Sequence, residues 1–168
     1  MAQLRRLQAL VAASLAGTIA FVVGCNATAA AARYKVYVNV RYHYAICYPT
    51  DLLHPQGEAD NSDGQTFRSR DGAELSVFGR NNVDGSSLQQ TVDGDSGDIA
   101  GPSGVITYRA HKADWSVYSG RKGVLDFYSK TIRRKDQFLI FELTYPHGAA
   151  AAYRPVIQKL IQCFVPTH

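Results

Sequence analysis

The sequence predicts an α+β domain: an antiparallel sheet with a C-terminal amphipathic helix on one face and a short helix on the other. Three observations predict this class. Short segments of β-favouring composition, rich in tyrosine and phenylalanine, recur along residues 34–145. Asp71-Gly72 is a strong hairpin signal between two of these segments. Residues 153–164 place their apolar side chains on one arc of a helical wheel.

Eight segments alternate or cluster their apolar residues as β-strands do. They are residues 34–40, 42–48, 65–69, 74–79, 105–110, 115–119, 123–132 and 137–145. Residues 51–64 and 94–104 are rich in turn-forming residues such as Gly, Pro, Asp and Ser, which predicts loops there. The last strand is wholly apolar on one face, and on the other face Glu142 and Thr144 are mixed with apolar residues. We therefore expect it to be a central strand with cover on both sides.

Two helices are predicted. Ser86 or Ser87 caps the first, which ends near Val92 and places Leu88 and Val92 on one face. The second follows Pro146 and a run of alanines, and we expect its apolar arc to lie on the sheet. This arc comprises Tyr153, Val156, Ile157, Leu160, Ile161, Cys163 and Phe164.

Charged residues are unevenly distributed along the chain. Residues 51–100 contain ten acidic and three basic side chains, whereas residues 101–168 contain ten basic and four acidic ones. One interpretation is a bipolar surface that steers a charged partner. The other, which we favour, is two solvated stretches that lie side by side and cancel. Beyond residue 24 the basic excess is small, which argues against a nucleic-acid partner.

The N-terminus has the composition of an export signal. Arg5 and Arg6 precede an uncharged apolar stretch at residues 7–24, which predicts a signal peptide over residues 1–24. The run Val22-Val23-Gly24-Cys25 resembles the lipobox of bacterial lipoproteins. In that family a diacylglycerol is attached to the cysteine and the leader is removed. The resemblance implies a lipid on Cys25, a tether over residues 25–33 and a globular domain over residues 34–168.

Two alternatives to lipidation remain open. Ala27-Thr28-Ala29 would suit a signal peptidase that releases a soluble protein, and an uncut segment 7–24 could just span a bilayer. All three outcomes place the domain outside the cytoplasm. By the lipoprotein resemblance, Asn26 in place of aspartate favours the outer membrane, facing the periplasm, if the host is Gram-negative.

Three cysteines are present, and the lipobox accounts for one of them. Cys47 and Cys163 then remain as a pair in an oxidising compartment, which predicts a disulfide between them. Cys47 lies near the end of a predicted strand and Cys163 near the end of the last helix, so their side chains can meet. The alternative is two buried free thiols that act as small hydrophobic groups.

The order of elements resembles the PsbP-like fold. This group includes the photosystem subunit PsbP, a Ran-binding nuclear transport factor and many exported bacterial proteins. The matching stretches are AICYP (45–49), DGAELSVFG (71–79), the region 115–128, and LTYP (143–146) with the helix after it. The resemblance covers about residues 42–165 and implies an α/β/α sandwich. Its better-known members are adaptors or assembly factors, which implies a binding role, but partners do not transfer with a fold.

No motif predicts catalysis or metal binding. The five histidines are scattered, and the run Asp93-Gly-Asp-Ser-Gly-Asp98 departs from the calcium-loop pattern, so it is predicted as an ordinary loop. No nucleophile elbow occurs. The sequence therefore predicts no metal and no cofactor.

The candidate partner contacts surround a basic turn predicted at residues 119–123. Trp115 and Tyr118 lie on opposite strand faces, so at most one is expected in the core, while Arg121 and Lys122 supply charge. The resulting hypothesis is a membrane-tethered, extracytoplasmic, non-catalytic binding or assembly module with a protein partner. A small-ligand carrier and an unrecognised cell-envelope hydrolase are the alternatives.

Overall fold

Seven antiparallel strands form the larger of two sheets in residues 32–168, the part of the chain that the computed structural model describes. The strands of this part are β1 (Tyr34–Asn39), β2 (Tyr44–Pro49), β3 (His54–Glu58), β4 (Gly64–Arg68), β5 (Glu74–Asn81), β6 (Val105–His111), β7 (Trp115–Lys122), β8 (Leu125–Arg134), β9 (Gln137–Pro146) and β10 (Val165–Pro166). The helices are α1 (Leu88–Ala100) and α2 (Ala150–Cys163), and a 3₁₀ turn at His147–Ala149 precedes α2.

The elements form three layers. The large sheet has the strand order β3-β4-β5-β9-β8-β7-β6, and a small sheet has the order β1-β2-β10. α1 packs on one face of the large sheet, over β6, β7 and β8. α2 and the small sheet share the opposite face. This arrangement confirms the predicted α+β class with the two helices on opposite faces, although the sequence did not predict that β1 and β2 form a separate sheet.

Two hydrophobic cores lie on either side of the large sheet. The larger core is enclosed by α2 and the small sheet, and it buries Phe141, Tyr153 and Leu160 completely. The smaller core lies beneath α1 and contains Val92 and Phe127. β9 contributes to both cores, because its alternate residues point to opposite faces. The predicted central strand with cover on both sides is therefore confirmed.

β3 lies inside the segment that the sequence predicts as a loop. Its five residues, including Pro55 and Gly57, are all exposed, so no apolar alternation marks it as a strand. The strand forms because its backbone pairs with β4 at the edge of the sheet, with a register shift between Pro55 and Glu58. Proline is tolerated at such an edge.

α1 continues for two turns beyond its predicted end near Val92, so the loop predicted at 94–104 is wrong over its first half. Gly94 and Gly97 are poor helix formers. Burial of Ser96 and Ala100 against the sheet sustains the helix in spite of them. The acidic run that resembled a calcium loop lies in this helical extension. The N-cap residue is Ser87, which is one of the two residues that the sequence predicts for this role.

The Cys47–Cys163 disulfide is present and joins β2 to the last residue of α2, with a Cα–Cα distance of 5.8 Å. It spans 116 positions of the sequence, so it closes almost the whole described chain into one loop. The proposed lipidation site Cys25 and the leader at 1–24 lie outside the described residues.

The acidic and basic parts of the sequence lie at opposite edges of the large sheet. The chain forms β3, β4 and β5 at one edge, crosses by α1 to the far edge, and returns through β6, β7 and β8 to insert β9 beside β5. The expectation that the two stretches lie side by side is therefore wrong. Of residues 51–100, α1 lies over the basic edge, where Asp93 pairs with Arg109 of β6. Asp95 of the same helix pairs instead with Arg80 of β5, within the acidic stretch itself.

Candidate functional site

The strands β6, β7 and β8 present a partly exposed surface on the α2 side of the large sheet. Residues that face each other across antiparallel strands point to the same side, so the register defines this surface. Tyr108 lies opposite Ser119, which lies opposite Tyr128. Val105 lies opposite Arg121 in the next row. We name this surface the aromatic-basic face, and it comprises Val105, Tyr108, Trp115, Arg121, Tyr128 and Lys130.

Apolar and aromatic side chains of this face are accessible to solvent. Val105 is 59% exposed and Tyr108 is 53% exposed. Trp115 and Tyr128 are half-buried because one side of each packs against the larger core. Burial raises the pKa of Tyr128 to about 12, and the neighbouring Tyr108 adds to the rise. Large, rigid aromatic side chains in such positions are the residues that dominate the energetics of protein interfaces.

Lysine side chains border the aromatic residues. The Lys112 Nζ lies 5.9 Å from the centroid of the Trp115 ring. The Lys130 Nζ donates a hydrogen bond to the carbonyl of Ile161 at the end of α2, at 3.1 Å. Burial lowers the pKa of Lys130. The basic groups thus lie directly beside aromatic surface, where a cation and an aromatic ring attract each other.

Arg121, Asp126 and His147 form a charged cluster at one end of the face. Arg121 Nε lies 3.0 Å from Asp126 Oδ1, and His147 Nδ1 lies 2.8 Å from Asp126 Oδ2. Partial burial alone would raise the pKa of Asp126, but the hydrogen bonds with His147 and Arg121 outweigh it and hold that pKa below its ordinary value. A groove of about 280 Å³ opens beside this cluster and is lined in part by Val105 and Tyr145.

The structure separates the four predicted contact residues. Trp115 and Arg121 lie on the aromatic-basic face, and Lys122 is exposed but points to the α1 side. Tyr118 is completely buried beneath α1, so its assignment as a contact residue is wrong. The basic turn is also displaced: residues 119–122 continue β7, and the chain turns at Gly123-Val124.

Sequence reasoning missed Val105, Tyr108 and Tyr128. All three lie in strands that were predicted, but alternation gives only the two faces of a strand. It does not show which face the small sheet and α2 leave open, because that depends on how far those elements extend over the large sheet.

A polar row crosses the other face of the large sheet, next to α1. Its members are direct neighbours across six strands: Thr66, Ser76, Glu142, Ser129, Tyr118 and Arg109. Burial, followed by the negative charge of Asp95, raises the pKa of Glu142. Arg80 donates two hydrogen bonds to Asp95, at 2.7 and 2.8 Å, and so fixes α1 to β5. At the end of the row, Arg109 donates hydrogen bonds to Asp93 and Ser96 of α1, so this end also serves to attach the helix.

Other kinds of site have less support in residues 32–168. The space between α2 and the sheet, where a ligand carrier would hold its cargo, is filled by Phe141, Tyr153 and Leu160. No three His, Cys, Asp or Glu side chains of this part of the chain lie close enough together to hold a metal ion. Neither helix described here has the length and apolar composition of a membrane span.

Two solved structures are similar to this chain. The solution structure of cyanobacterial PsbP (CyanoP) from Synechocystis sp. PCC 6803 has a TM-score of 0.60 at 12% identity, covering 86% of this chain and 98% of that one. The crystal structure of the Ran-binding protein Mog1p from Saccharomyces cerevisiae has a TM-score of 0.60 at 10% identity, covering 80% and 96%. No protein-family model and no curated protein matches the sequence. The chain therefore has the PsbP-like fold, and at these identities the likeness shows the fold alone.

Proposed function

We propose that this protein is an extracytoplasmic lipoprotein that holds a protein partner on its aromatic-basic face. The observation that carries the partner-binding part is the combination of exposed Val105, Tyr108 and Arg121 with half-buried Trp115 on one open sheet surface. Solvated sheet faces of antiparallel sheets are ordinarily polar, so apolar and aromatic residues there favour an interface. One solved structure of this fold belongs to a Ran-binding protein, which supports a binding role for this chain too.

The charge of the basic edge specifies the chemistry of the partner. Residues 105–135, which contain β6, β7 and β8, carry eight Lys and Arg side chains against two Asp. A partner surface that combines carboxylates with apolar side chains would complement the face, and charge complementarity would speed its association. Such steering weakens with ionic strength, because salt screens exposed charges over about 8 Å at physiological concentration.

Photo-crosslinking from the face tests the partner. A photoreactive amino acid at Tyr108, in the full chain expressed in its host, should give a discrete adduct with one protein. The matched control is the same amino acid at Val83, which is 85% exposed but lies outside the face. Lys112→Glu should reduce the Tyr108 adduct because it reverses a charge beside Trp115. Equal adducts from both positions, or none from Tyr108, would contradict the proposed interface.

The anchor is tested separately from the partner. If Cys25 carries the lipid, the full chain should float with membranes, and Cys25→Ala should move it to the soluble fraction. Mass spectrometry of the N-terminal peptide should then show a diacylglycerol-modified Cys25. A mature N-terminus at Ala30 would instead indicate a soluble exported protein and would exclude the lipid.

A further inference from the structure

Four exposed valines lie close together: three are in the small sheet, and the fourth, Val40, directly follows β1. Val36 is 65% exposed, Val38 is 51%, Val40 is 78% and Val165 is 43%. We name them the valine patch. They account for half of the large hydrophobic residues that are exposed in the described part of the chain. Such clustering distinguishes the patch from the scattered apolar residues that any protein surface carries.

The strand register explains why the patch faces outward. Tyr37 and Asn39 of β1 point toward the large sheet, where Asn39 is fully buried. Val36 and Val38 alternate with them and point away from it. Val38 lies opposite Ala45 of β2, and Ala45 lies opposite Val165 of β10. Val38, Ala45 and Val165 thus lie in one row across the three strands, in which the two valines are exposed and Ala45 is buried.

The layer that carries the patch lacks acidic side chains. Residues 33–50 and 147–168, which contain β1, β2, α2 and β10, have no Asp or Glu, although the chain has 14 of them. The same two stretches contain five basic side chains: Arg33, Lys35, Arg41, Arg154 and Lys159. Arg33 pairs with Asp51, which directly follows the first stretch, at 2.8 Å. Lys159 of α2 lies on the patch side, with its Nζ 6.0 Å from the centroid of the Tyr34 ring.

We propose that this outer layer docks on an anionic phospholipid bilayer, with the valine patch in the interface and the basic side chains near the headgroups. Exposed apolar side chains with an excess of cations beside them are what binds an anionic membrane surface. Residues 26–33 span at most about 30 Å, so a lipid on Cys25 would keep β1 close to the bilayer. The inference rests on the proposed function only for this tether. The aromatic-basic face lies beside the layer on the same side of the large sheet.

Vesicle sedimentation of the unlipidated chain tests the proposal independently of the anchor. Residues 25–168 are suitable, because Ala31–His168 form a compact unit of their own that contains both cores and the disulfide. The probes are vesicles of phosphatidylcholine alone and of phosphatidylcholine mixed with phosphatidylglycerol. The protein should bind the mixed vesicles more strongly, and added salt should weaken that binding.

Substitutions separate the patch from nonspecific adsorption. Val36→Ser with Val38→Ser should lower the partition coefficient on mixed vesicles about tenfold, because less apolar area enters the interface. The matched control is Val83→Ser with Val124→Ser, which changes valines that are 85% and 80% exposed outside this layer. That control should bind as the unaltered chain does. Lys159→Gln should reduce the preference for anionic vesicles, because Lys159 is the lysine that lies on the patch side.

Several results would overturn the proposal. One is equal binding by all variants; another is no binding to either vesicle type. A third is a patch that mediates self-association through the β1 edge. In that case the unaltered chain would sediment as a dimer without lipid, and the Val36→Ser, Val38→Ser variant as a monomer. The two proteins would then bind vesicles equally well. Circular dichroism of each variant confirms that the fold is retained. Absence of lipid on Cys25 in cells would contradict the tether but not vesicle binding, so the two failures are distinguishable.

Discussion

The phenol of Tyr118 donates a hydrogen bond to Oε1 of Glu142 at 3.2 Å, on the face of the large sheet that α1 partly covers. The two residues belong to β7 and β9, and Ser129 of β8 lies between them in the register. Burial is the largest cause that raises the pKa of each group. The hydrogen bond stabilises the carboxylate, but it does not fully replace the water that Glu142 loses on folding.

Glu142→Gln should therefore change how stability depends on pH. The folded-state pKa of Glu142 lies above its unfolded value, so the native protein loses stability as pH rises through the folded pKa. Glutamine keeps the size and the acceptor for Tyr118 but cannot ionise. We expect the variant to be more stable than the native protein at neutral pH, and the two to converge below about pH 4, where glutamate is neutral in both states.

Urea unfolding of both proteins across this pH range measures the difference. Glu74→Gln on β5 is the control for removal of a more exposed glutamate, which pairs with Arg68 at the surface. A Glu142→Gln variant that is less stable than the native protein at every pH would show that the carboxylate makes a net favourable contribution there.

Asp126→Asn should have the opposite pH dependence. The folded-state pKa of Asp126 is held low, so its contribution is present above the unfolded pKa and is lost as pH falls through the folded one. We expect the variant to be less stable by about 1 kcal/mol at pH 7, as for a favourable surface ion pair. The difference should disappear toward pH 2. Asp136→Asn, in the exposed turn after β8, serves as the control, and a loss that persists in acid would contradict an ionic cause.

Removal of the disulfide should be the most destabilising of these changes. Cys47 and Cys163 are 116 positions apart, and the chain-entropy model gives about 4–5 kcal/mol for a loop of this size. The double variant Cys47→Ala with Cys163→Ala should lose about that much stability in denaturant unfolding. The denatured, unreduced mature protein should show no reactive thiol from either residue. Two reactive thiols in that assay would contradict the bridge.

Ser87→Ala should destabilise α1 by about 1 kcal/mol. The Ser87 hydroxyl accepts a hydrogen bond from the Gln90 N–H, and the Gln90 side chain accepts one from the Ser87 N–H. Ser86→Ala is a matched control, because Ser86 contacts Asn82 through its backbone instead. Thermal unfolding of the two variants compares them directly. Equal losses would show that the cap does not depend on the Ser87 side chain.

Local sequence signals predicted most elements of this fold but not the ones that tertiary contacts create. The Asp71-Gly72 turn and the cap of α1 at Ser87 are short-range features, so a single stretch of sequence specifies them. β3 has no apolar alternation and exists because β4 offers it backbone partners. The second half of α1 contains Gly94 and Gly97 and depends on burial beneath it. Neither cause is visible within the segment itself.

The candidate site shows the same division. Alternation placed Trp115 and Tyr118 on opposite faces of β7, which the register confirms. Which of the two is buried depends on α1, whose full length was not predicted. Tyr108 was missed because its importance comes from lying beside Tyr128, a residue 20 positions away in the sequence. The lipid attachment at Cys25 rests on the sequence motif and stays a prediction.

The pairing of β1 with β2 also has a mechanical consequence. Tyr34 lies opposite Pro49 at the open end of this hairpin, so a force that pulls the chain at Arg33 breaks the hydrogen bonds one at a time. Breaking the hydrogen bonds one at a time needs less force than breaking them all at once. It stops at β2, because the disulfide links Cys47 covalently to Cys163. Drawing out β1 withdraws Tyr37 and Asn39 from the edge of the larger core, while the disulfide still holds β2 to α2.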